Sequence, residues 1–355
     1  KERLPFGIKG LADRIEEMGM KFGLWFEPEM VNKDSDLYRA HPDWILHAPQ
    51  RASCHGRNQY VLDFSRKEIV DHIYEMIAKL LSEAKISYIK WDMNRSITEC
   101  YSVALPADRQ GEVFHRYILG VYDLYERLTS EFPEVLFESC SSGGGRFDPG
   151  MLYYAPQGWT SDDSDAIERL KIQYGTSLCY PISSMGSHVS VIPNHQVFRK
   201  TPLHTRANVA YFGTFGYELD LNSLKEEEIA EVKEQIIFMK KYRKLFQFGD
   251  FYRLKSPFEG NETIWMVVSE DKKTAIVGYY RTLNGVNQAY NRIKLQGLDP
   301  DMLYENILNK TENYGDELMN FGLITTDVTA GEVPGDATPC TDFESRIYIL
   351  KAKEK

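Results

Sequence analysis

The sequence has 355 residues, and its 42 lysines and arginines against 52 aspartates and glutamates give a formal net charge of −10. The length predicts one large or two ordinary domains, and a composition of 43% hydrophobic and 26% charged residues is typical of a folded globular protein. An acidic chain is a poor partner for nucleic acid or an anionic membrane, because both bind basic surfaces. No apolar run reaches the roughly 20 residues that a membrane span requires.

The cysteines fit neither a disulfide framework nor a structural zinc site, because their number is odd and no Cys-x-x-Cys pair occurs. We therefore expect a reducing, cytoplasmic location. The five are Cys54, Cys100, Cys140, Cys179 and Cys340.

Short apolar strands alternate with helices over the first 250 residues. Helical spacing of apolar residues predicts helices over 8–19, 65–80, 111–131, 164–175 and 223–246. Seven strand candidates lie at 21–26, 60–64, 88–91, 135–138, near 159, at 181–188 and at 215–221. This alternation is typical of parallel βαβ units.

The predicted fold class is α/β, a (β/α)8 TIM barrel followed by a small antiparallel β-sandwich domain. Each strand candidate ends in polar or small residues, as in a barrel whose chemistry lies at the carboxyl ends of its strands. A doubly wound sheet is the alternative, but the glycine-rich phosphate turn expected after its first strand is absent. Because a barrel needs eight strands and the chain opens at Lys1 rather than Met, we expect the first strand to lie upstream.

The pattern of the sequence changes after about residue 250. Apolar runs at 263–268 and 274–280 flank a polar turn and predict a hairpin, and further strand candidates lie at 292–295 and 346–350. We therefore predict an incomplete catalytic barrel over residues 1–252 and an antiparallel β domain over residues 253–355.

Charged residues are concentrated at two predicted strand ends. Lys90 and Asp92 are two residues apart and point to the same face, where Lys90 would keep Asp92 ionised as a nucleophile requires. A structural ion pair is the alternative. The second site is the acidic run 159–165 (WTSDDSD), some of whose acids must cap the following helix. Two acids at separate strand ends are the minimum equipment of a glycosidase.

Other candidate sites have less support in the sequence. The glycine-rich stretch 141–145 lacks the Lys-Ser/Thr that completes a phosphate-binding P-loop. His188 and His195 have no carboxylates at ligand spacing, so no metal site is predicted. Trp25 and Trp159 are by composition alone more typical of core than of a sugar-binding surface.

Three motifs in chain order resemble those of glycoside hydrolase family 36 α-galactosidases of the bacterial melibiose- and raffinose-cleaving type. Residues 90–95 (KWDMNR) resemble the nucleophile motif, residues 138–148 (ESCSSGGGRFD) the glutamate-cysteine-glycine loop, and residues 159–169 (WTSDDSDAIER) the acid/base segment. Residues 25–30 (WFEPEM) and 184–188 (SMGSH) also resemble that family, so the resemblance runs along the whole chain.

The resemblance implies a role for several residues. Asp92 would be the nucleophile and Asp162 the acid/base, with Asp163 as the alternative in the acidic run. Lys90 and Arg57 would bind sugar hydroxyls. The pocket would be completed by Trp25, Trp159, Cys140 and the backbone at Ser142, a position at which the family usually has glycine.

The resemblance also implies a retaining, two-carboxylate hydrolysis of terminal α-galactosyl residues from galacto-oligosaccharides such as melibiose and raffinose. No metal or organic cofactor is implied, and the family is often oligomeric, so a homo-oligomer, with a tetramer possible, is expected. Family members carry an upstream β-sandwich and a first barrel strand that holds an Asp-Asp-Gly-Trp motif. Two alternatives stay open: a raffinose-synthase-like α-galactosyltransferase, and an inactive or galactose-binding fragment of such an enzyme.

Overall fold

A computed structural model describes residues 3–285, 291–325 and 342–353, so Cys340 lies outside the described residues. The chain divides into two compact units between Asp162 and Asp163. The predicted domain boundary between residues 252 and 253 stays a prediction. Among the described residues, no helix combines the length and apolar character needed to cross a membrane.

The first unit is built on a four-stranded parallel sheet in the order β1-β4-β5-β6. The strands of the first unit are β1 (Phe22–Phe26), β2 (Met30–Val31), β3 (Tyr60–Val61), β4 (Ile86–Trp91), β5 (Leu136–Ser139) and β6 (Gln157–Gly158). Strands β2 and β3 pair with each other outside the four-stranded sheet. The α-helices of the unit are α1 (Gly7–Glu17), α2 (Asp36–Ala40), α3 (Lys67–Glu83), α4 (Val113–Glu131) and α5 (Pro149–Tyr154), with 3-10 turns at Pro42–Trp44 and Ala107–Glu112.

The register of this sheet brings the carboxyl ends of its strands level. Phe26 pairs with Trp91, Trp91 with Ser139, and Ser139 with Gly158. The residues that follow these strands therefore share one edge of the sheet, which is where the sequence predicted the chemistry. Helix α3 packs onto the core of the unit through buried residues at helical spacing, namely Ile69, Val70, Ile73 and Ile77.

The strand predicted at 60–64 is not part of the parallel sheet, and that prediction was wrong. Only Tyr60–Val61 is a strand, and it pairs antiparallel with Met30–Val31. The run is nonetheless buried, because it passes under α4: a Cβ built on Gly120 would lie 1.9 Å from the carbonyl oxygen of Phe64. A short apolar run indicates that its residues are buried, but it does not identify the sheet to which those residues belong.

The second unit contains a parallel strand pair and an antiparallel sheet in the order β14-β13-β16-β11-β10-β9. Its helices are α6 (Ala166–Ser177), α7 (Leu203–Ala210), α8 (Glu226–Phe248) and α9 (Gly315–Asn320), with 3-10 turns at Ile182–Ser184 and Leu221–Ser223. Its strands are β7 (Gly186–Ser190), β8 (Thr214–Glu218), β9 (Asp250–Lys255), β10 (Glu262–Val268), β11 (Thr274–Arg281), β12 (Arg292–Ile293), β13 (Leu303–Asn306), β14 (Glu312–Tyr314), β15 (Leu323–Ile324) and β16 (Glu344–Ala352).

The predicted hairpin is the centre of the antiparallel sheet. Strands β10 and β11 pair from Glu262 with Arg281 to Val268 with Ala275, and almost all of their residues are buried. Helix α7 contacts this sheet through Asn208, whose side chain donates to the Ser345 hydroxyl at 2.9 Å and whose carbonyl accepts from Tyr280 at 2.6 Å.

Candidate active site

Asp92 lies at the carboxyl edge of the parallel sheet. It follows Trp91, the last residue of β4, and its backbone N–H donates to the carbonyl of Phe26 at the end of β1 (2.8 Å). Strand pairing thus continues through Asp92, which fixes its backbone. The residue is only 6% exposed.

Hydrogen bonds surround the Asp92 carboxylate. Oδ2 accepts from the Trp25 indole at 3.1 Å and the Asn94 amide at 2.7 Å, and Oδ1 accepts from the Met93 backbone at 2.8 Å. Burial acts to raise the pKa of Asp92, but the hydrogen bonds from Cys140 and these three donors outweigh it and hold the pKa below its usual value. Asp92 is therefore ionised at neutral pH, as a nucleophile must be.

Cys140 supplies a protonated thiol to this carboxylate. It follows β5, and its N–H donates to the Trp91 carbonyl at 2.8 Å, so it lies beside the end of β4. Burial, and then the nearby Asp92 charge, raise the pKa of the thiol far above its usual value. The thiol keeps its proton and donates to Asp92.

Lys90 forms its ion pair with Glu138. The Lys90 Nζ lies 3.3 Å from Glu138 Oε1 and 4.6 Å from the centre of the Trp159 ring, which gives a cation–π contact. Lys90 is predicted from the sequence to keep Asp92 ionised, whereas the groups that lower the pKa of Asp92 most are hydrogen-bond donors. Lys90 is oriented instead by Glu138, which also accepts from Tyr88 and Gln157.

The two tryptophans of the predicted pocket differ in exposure. Trp25 is 49% exposed, so one face of its ring is available to a ligand while its indole N–H holds Asp92. Trp159 is buried and stacks under Lys90. The Trp25 side chain is therefore half in solvent, whereas Trp159 packs against Lys90, and their roles in a pocket stay predictions.

Arg57 is anchored but still accessible. Its side chain is 59% exposed, and its Nη1 lies 3.4 Å from Oε1 of Glu27, the residue that follows β1. The remaining donors of the guanidinium are thus accessible to solvent. Glu27, which holds Arg57, is linked to Asp92 through hydrogen bonds from Asn94.

The glycine-rich stretch 141–145 packs against the acidic run 159–165. It was compared above with a phosphate-binding P-loop. A Cβ on Gly143 would lie 2.8 Å from the Asp162 nitrogen, and one on Gly144 would lie 2.5 Å from the Thr160 carbonyl oxygen. Gly143 has a φ of 81° and Ser142 a φ of 46°. Glycine is therefore required because the chain leading to Asp162 runs directly over this loop.

The acids of the run 162–165 have different environments. Asp165 is buried, caps α6 through Ile167 and accepts two hydrogen bonds of 2.6 and 2.7 Å from Arg199. Asp163 accepts the Asp165 backbone N–H at 3.0 Å. Asp162 is exposed. As predicted, part of the run forms a helix cap.

Several polar and charged residues near Asp92 were not predicted from the sequence. Glu27, Asn94 and Glu138 lie within quoted motifs but received no role, and Glu29 forms a buried ion pair with Arg146. Glu27 could have been found, because it immediately follows a predicted strand, as Asp92 does. Among the described residues, no group of three or more His, Cys, Asp or Glu side chains is arranged to hold a metal ion.

Comparison with known families accounts for nearly the whole chain. The melibiase family profile matches residues 1–249, and the glycosyl hydrolase family 36 C-terminal domain matches residues 262–350. The chain belongs to glycosyl hydrolase family 36. The predicted resemblance is therefore confirmed.

Curated members of the family include close relatives of the chain. It is 56% identical over 357 residues to α-galactosidase AgaA of Geobacillus stearothermophilus, covering 100% of this chain and 47% of that protein. It is 49% identical over 352 residues to an α-galactosidase of Lactobacillus acidophilus, covering 99% of this chain and 46% of that protein. The chain thus spans about half the length of the curated relatives it matches.

Solved structures of the family have the same fold. The structure of AgaA superposes with a TM-score of 0.92 at 53% identity, over 98% of this chain and 47% of that one. An α-galactosidase from Lactobacillus brevis gives 0.95 at 50% identity, over 100% of this chain and 47% of that one. These likenesses confirm the predicted fold class, a (β/α)8 barrel followed by an antiparallel β domain. Variants of AgaA have been solved in complex with raffinose and with stachyose.

Proposed function

We propose that the intact protein is a retaining α-galactosidase that removes terminal α-galactosyl residues from melibiose- and raffinose-type oligosaccharides. The observation that carries the proposal is the Asp92 carboxylate, which is buried at a strand end and kept ionised by surrounding donors. The α-galactosidase activity named for the relatives, and the raffinose and stachyose bound by AgaA variants, support the substrate class.

The proposed reaction has two displacements. Asp92 attacks the anomeric carbon while the bond to the leaving oxygen breaks, and Asp162 gives that oxygen a proton. Asp162 then takes a proton from water, whose oxygen attacks the same carbon and releases Asp92. Two inversions give net retention, so the first product is α-galactose. Asp162 is preferred to Asp163 because its side chain is exposed, whereas Asp163 accepts a backbone hydrogen bond at the start of α6.

The other site residues contribute binding. Lys90, held by Glu138, and Arg57, held by Glu27, would donate to sugar hydroxyls, and Trp25 would stack on the ring. Cys140 and the backbone of Ser142 would contact the 2-hydroxyl side of the sugar. A homo-oligomer and a reducing, cytoplasmic location are part of the proposal, and the free thiols of the four described cysteines support that location.

The test is hydrolysis of an aryl α-galactoside by the intact protein, followed by proton NMR. We expect α-galactose as the first product, and loss of turnover in Asp92→Ala. Asp34→Ala, at an aspartate whose side chain is 96% exposed, is the matched control and should retain activity. First release of β-galactose, or near wild-type turnover in Asp92→Ala, would overturn the mechanism.

The same experiment separates the alternatives. With sucrose added as acceptor, a raffinose-synthase-like enzyme would form mainly the transfer product, whereas a hydrolase forms mainly free galactose. Galactose binding without turnover by the 355-residue chain, assayed beside the intact protein, would indicate the binding-fragment alternative.

A further inference from the structure

Glu27 is a buried carboxylate on which donors from two other segments of the chain converge. It follows β1, and its side chain is 7% exposed. Oε2 accepts from Gln59 at 2.6 Å, and Oε1 accepts from Asn94 at 2.7 Å and from Arg57 at 3.4 Å. A buried carboxylate with this many donors has one orientation, because each lost donor would leave charge unpaired.

Asn94 joins this carboxylate to the proposed nucleophile. Its amide nitrogen donates to Oε1 of Glu27 and to Oδ2 of Asp92, both at 2.7 Å. Its amide oxygen accepts from the Ser142 hydroxyl at 3.4 Å. The opposite amide orientation would place the oxygen against two carboxylates, so the contacts fix which end of the side chain faces Asp92.

We propose that Glu27 and Asn94 are positioning residues. Glu27 orients the Asn94 amide, and Asn94 holds the Asp92 carboxylate in the orientation required for attack on the anomeric carbon. Glu27 also holds Arg57, so one carboxylate aligns both the nucleophile and a sugar-binding guanidinium. The proposal rests on the proposed function, since it assigns these residues to the reaction of Asp92.

The geometry explains why a positioning residue is needed here. Asp92 is a short side chain at a strand end, and the Trp25 indole that also donates to Oδ2 belongs to a half-exposed residue. The groups that face the carboxylate are Cys140, Trp25, Asn94 and the Met93 N–H, with the charges of Lys90 and Glu27 beyond them. Asn94 is the donor whose own position depends on a second buried carboxylate.

The experiment measures kcat, KM and the pH profile of kcat/KM for the intact protein with an aryl α-galactoside. Asn94→Ala should lower kcat by roughly 10- to 100-fold, the range for losing a hydrogen bond to a charged group, with little change in KM. The acidic limb of the profile should move to higher pH, because the Asp92 anion loses a donor. Glu27→Gln should raise KM by releasing Arg57 and should also lower kcat.

A double-variant cycle tests whether Glu27 acts through Asn94. If it does, Glu27→Gln should have much less effect on kcat in the Asn94→Ala background than in the wild type. Asn313→Ala, which removes a surface amide 3.5 Å from Glu317, is the matched control and should change neither kcat nor the pH profile. If Asn94→Ala does not fold, Asn94→Ser, which also removes the amide, replaces it in these measurements.

Two results would overturn the proposal. One is an Asn94→Ala enzyme with unchanged kcat and an unmoved acidic limb, and the other is a Glu27→Gln effect on kcat of equal size in both backgrounds. Asp92→Ala, measured in parallel, separates this failure from failure of the proposed function. If Asp92→Ala is inactive while Asn94→Ala behaves as wild type, only the positioning roles are wrong.

Discussion

The Cys140 thiol donates a hydrogen bond to the Asp92 carboxylate, and each residue shifts the pKa of the other. Burial and the Asp92 charge raise the pKa of the thiol, so it stays protonated, while the thiol proton helps to lower the pKa of Asp92. A cysteine in this position therefore acts as a hydrogen-bond donor, and its nucleophilicity is suppressed.

The first prediction concerns the pH dependence of Cys140→Ala. The proposed reaction requires ionised Asp92, and losing the thiol raises the pKa of Asp92 toward its ordinary value. The acidic limb of kcat/KM should therefore move to higher pH, because the Asp92 anion loses a hydrogen-bond donor. Cys140→Ser retains a donor and should show a smaller shift.

Cys179, which is exposed, offers the matched control. Cys179→Ala should leave the profile of an aryl α-galactoside unchanged. If Cys140→Ala also leaves the acidic limb where it is, the thiol does not stabilise the Asp92 anion.

The second prediction concerns the glycine loop that packs against the segment leading to Asp162, the proposed acid/base. Gly144→Ala places a Cβ 2.5 Å from the Thr160 carbonyl oxygen, so the backbone that leads to Asp162 must shift. A displacement of about 1 Å costs on the order of 100-fold in rate. We expect a kcat loss of that size, measured by steady-state kinetics, with the fold retained by circular dichroism.

Gly111→Ala is the control for this substitution, because a Cβ there meets no atom within 4 Å and the residue lies in a 3-10 turn. It should retain full activity. Wild-type kcat in Gly144→Ala would contradict the claim that the glycine loop sets the position of the acid/base segment.

The third prediction concerns stability. Glu29 is fully buried and accepts from Arg146 at 2.8 and 2.9 Å, from the Trp91 indole at 2.8 Å and from Tyr117. Glu29→Ala leaves the Arg146 charge buried and unpaired, which typically costs about 3–5 kcal/mol. Urea unfolding of the intact protein should show this loss.

A surface ion pair provides the comparison for Glu29. Glu16 pairs with Lys85 where both side chains are more than half exposed, and Glu16→Ala should leave the urea midpoint unchanged. A loss below about 1 kcal/mol in Glu29→Ala would show that the buried pair is not a main support of the strand end that holds Asp92.

The sequence was sufficient to predict the parallel strands that hold the site. The runs predicted at 21–26, 88–91 and 135–138 are short, apolar and followed by polar residues, and the corresponding strands end level at Phe26, Trp91 and Ser139. It was not sufficient for residues 60–64, because their burial under α4 at Gly120 produces the same apolar pattern as a sheet strand. The spacing of apolar residues indicates which side chains are buried, but it does not indicate which strand or helix they pack against.

The residues around Asp92 show a similar limit. Motif resemblance predicts roles for Asp92 and Lys90, but the partner of Lys90 is Glu138, 48 residues further along the chain and level with it in the neighbouring strand. The bridge from Glu27 through Asn94 likewise spans 67 residues. Contacts of this kind depend on strand register, which short sequence motifs do not specify.

The central claim is that Asp92 forms a covalent bond to the sugar. The most direct measurement incubates the intact protein with a 2-deoxy-2-fluoro α-galactoside that carries a good leaving group, and locates the adduct by mass spectrometry of the digested protein. Our account predicts one fluorosugar on the peptide that contains Asp92, and no adduct in Asp92→Ala. A sugar attached to any other carboxylate, or first release of β-galactose from an aryl α-galactoside, would contradict it.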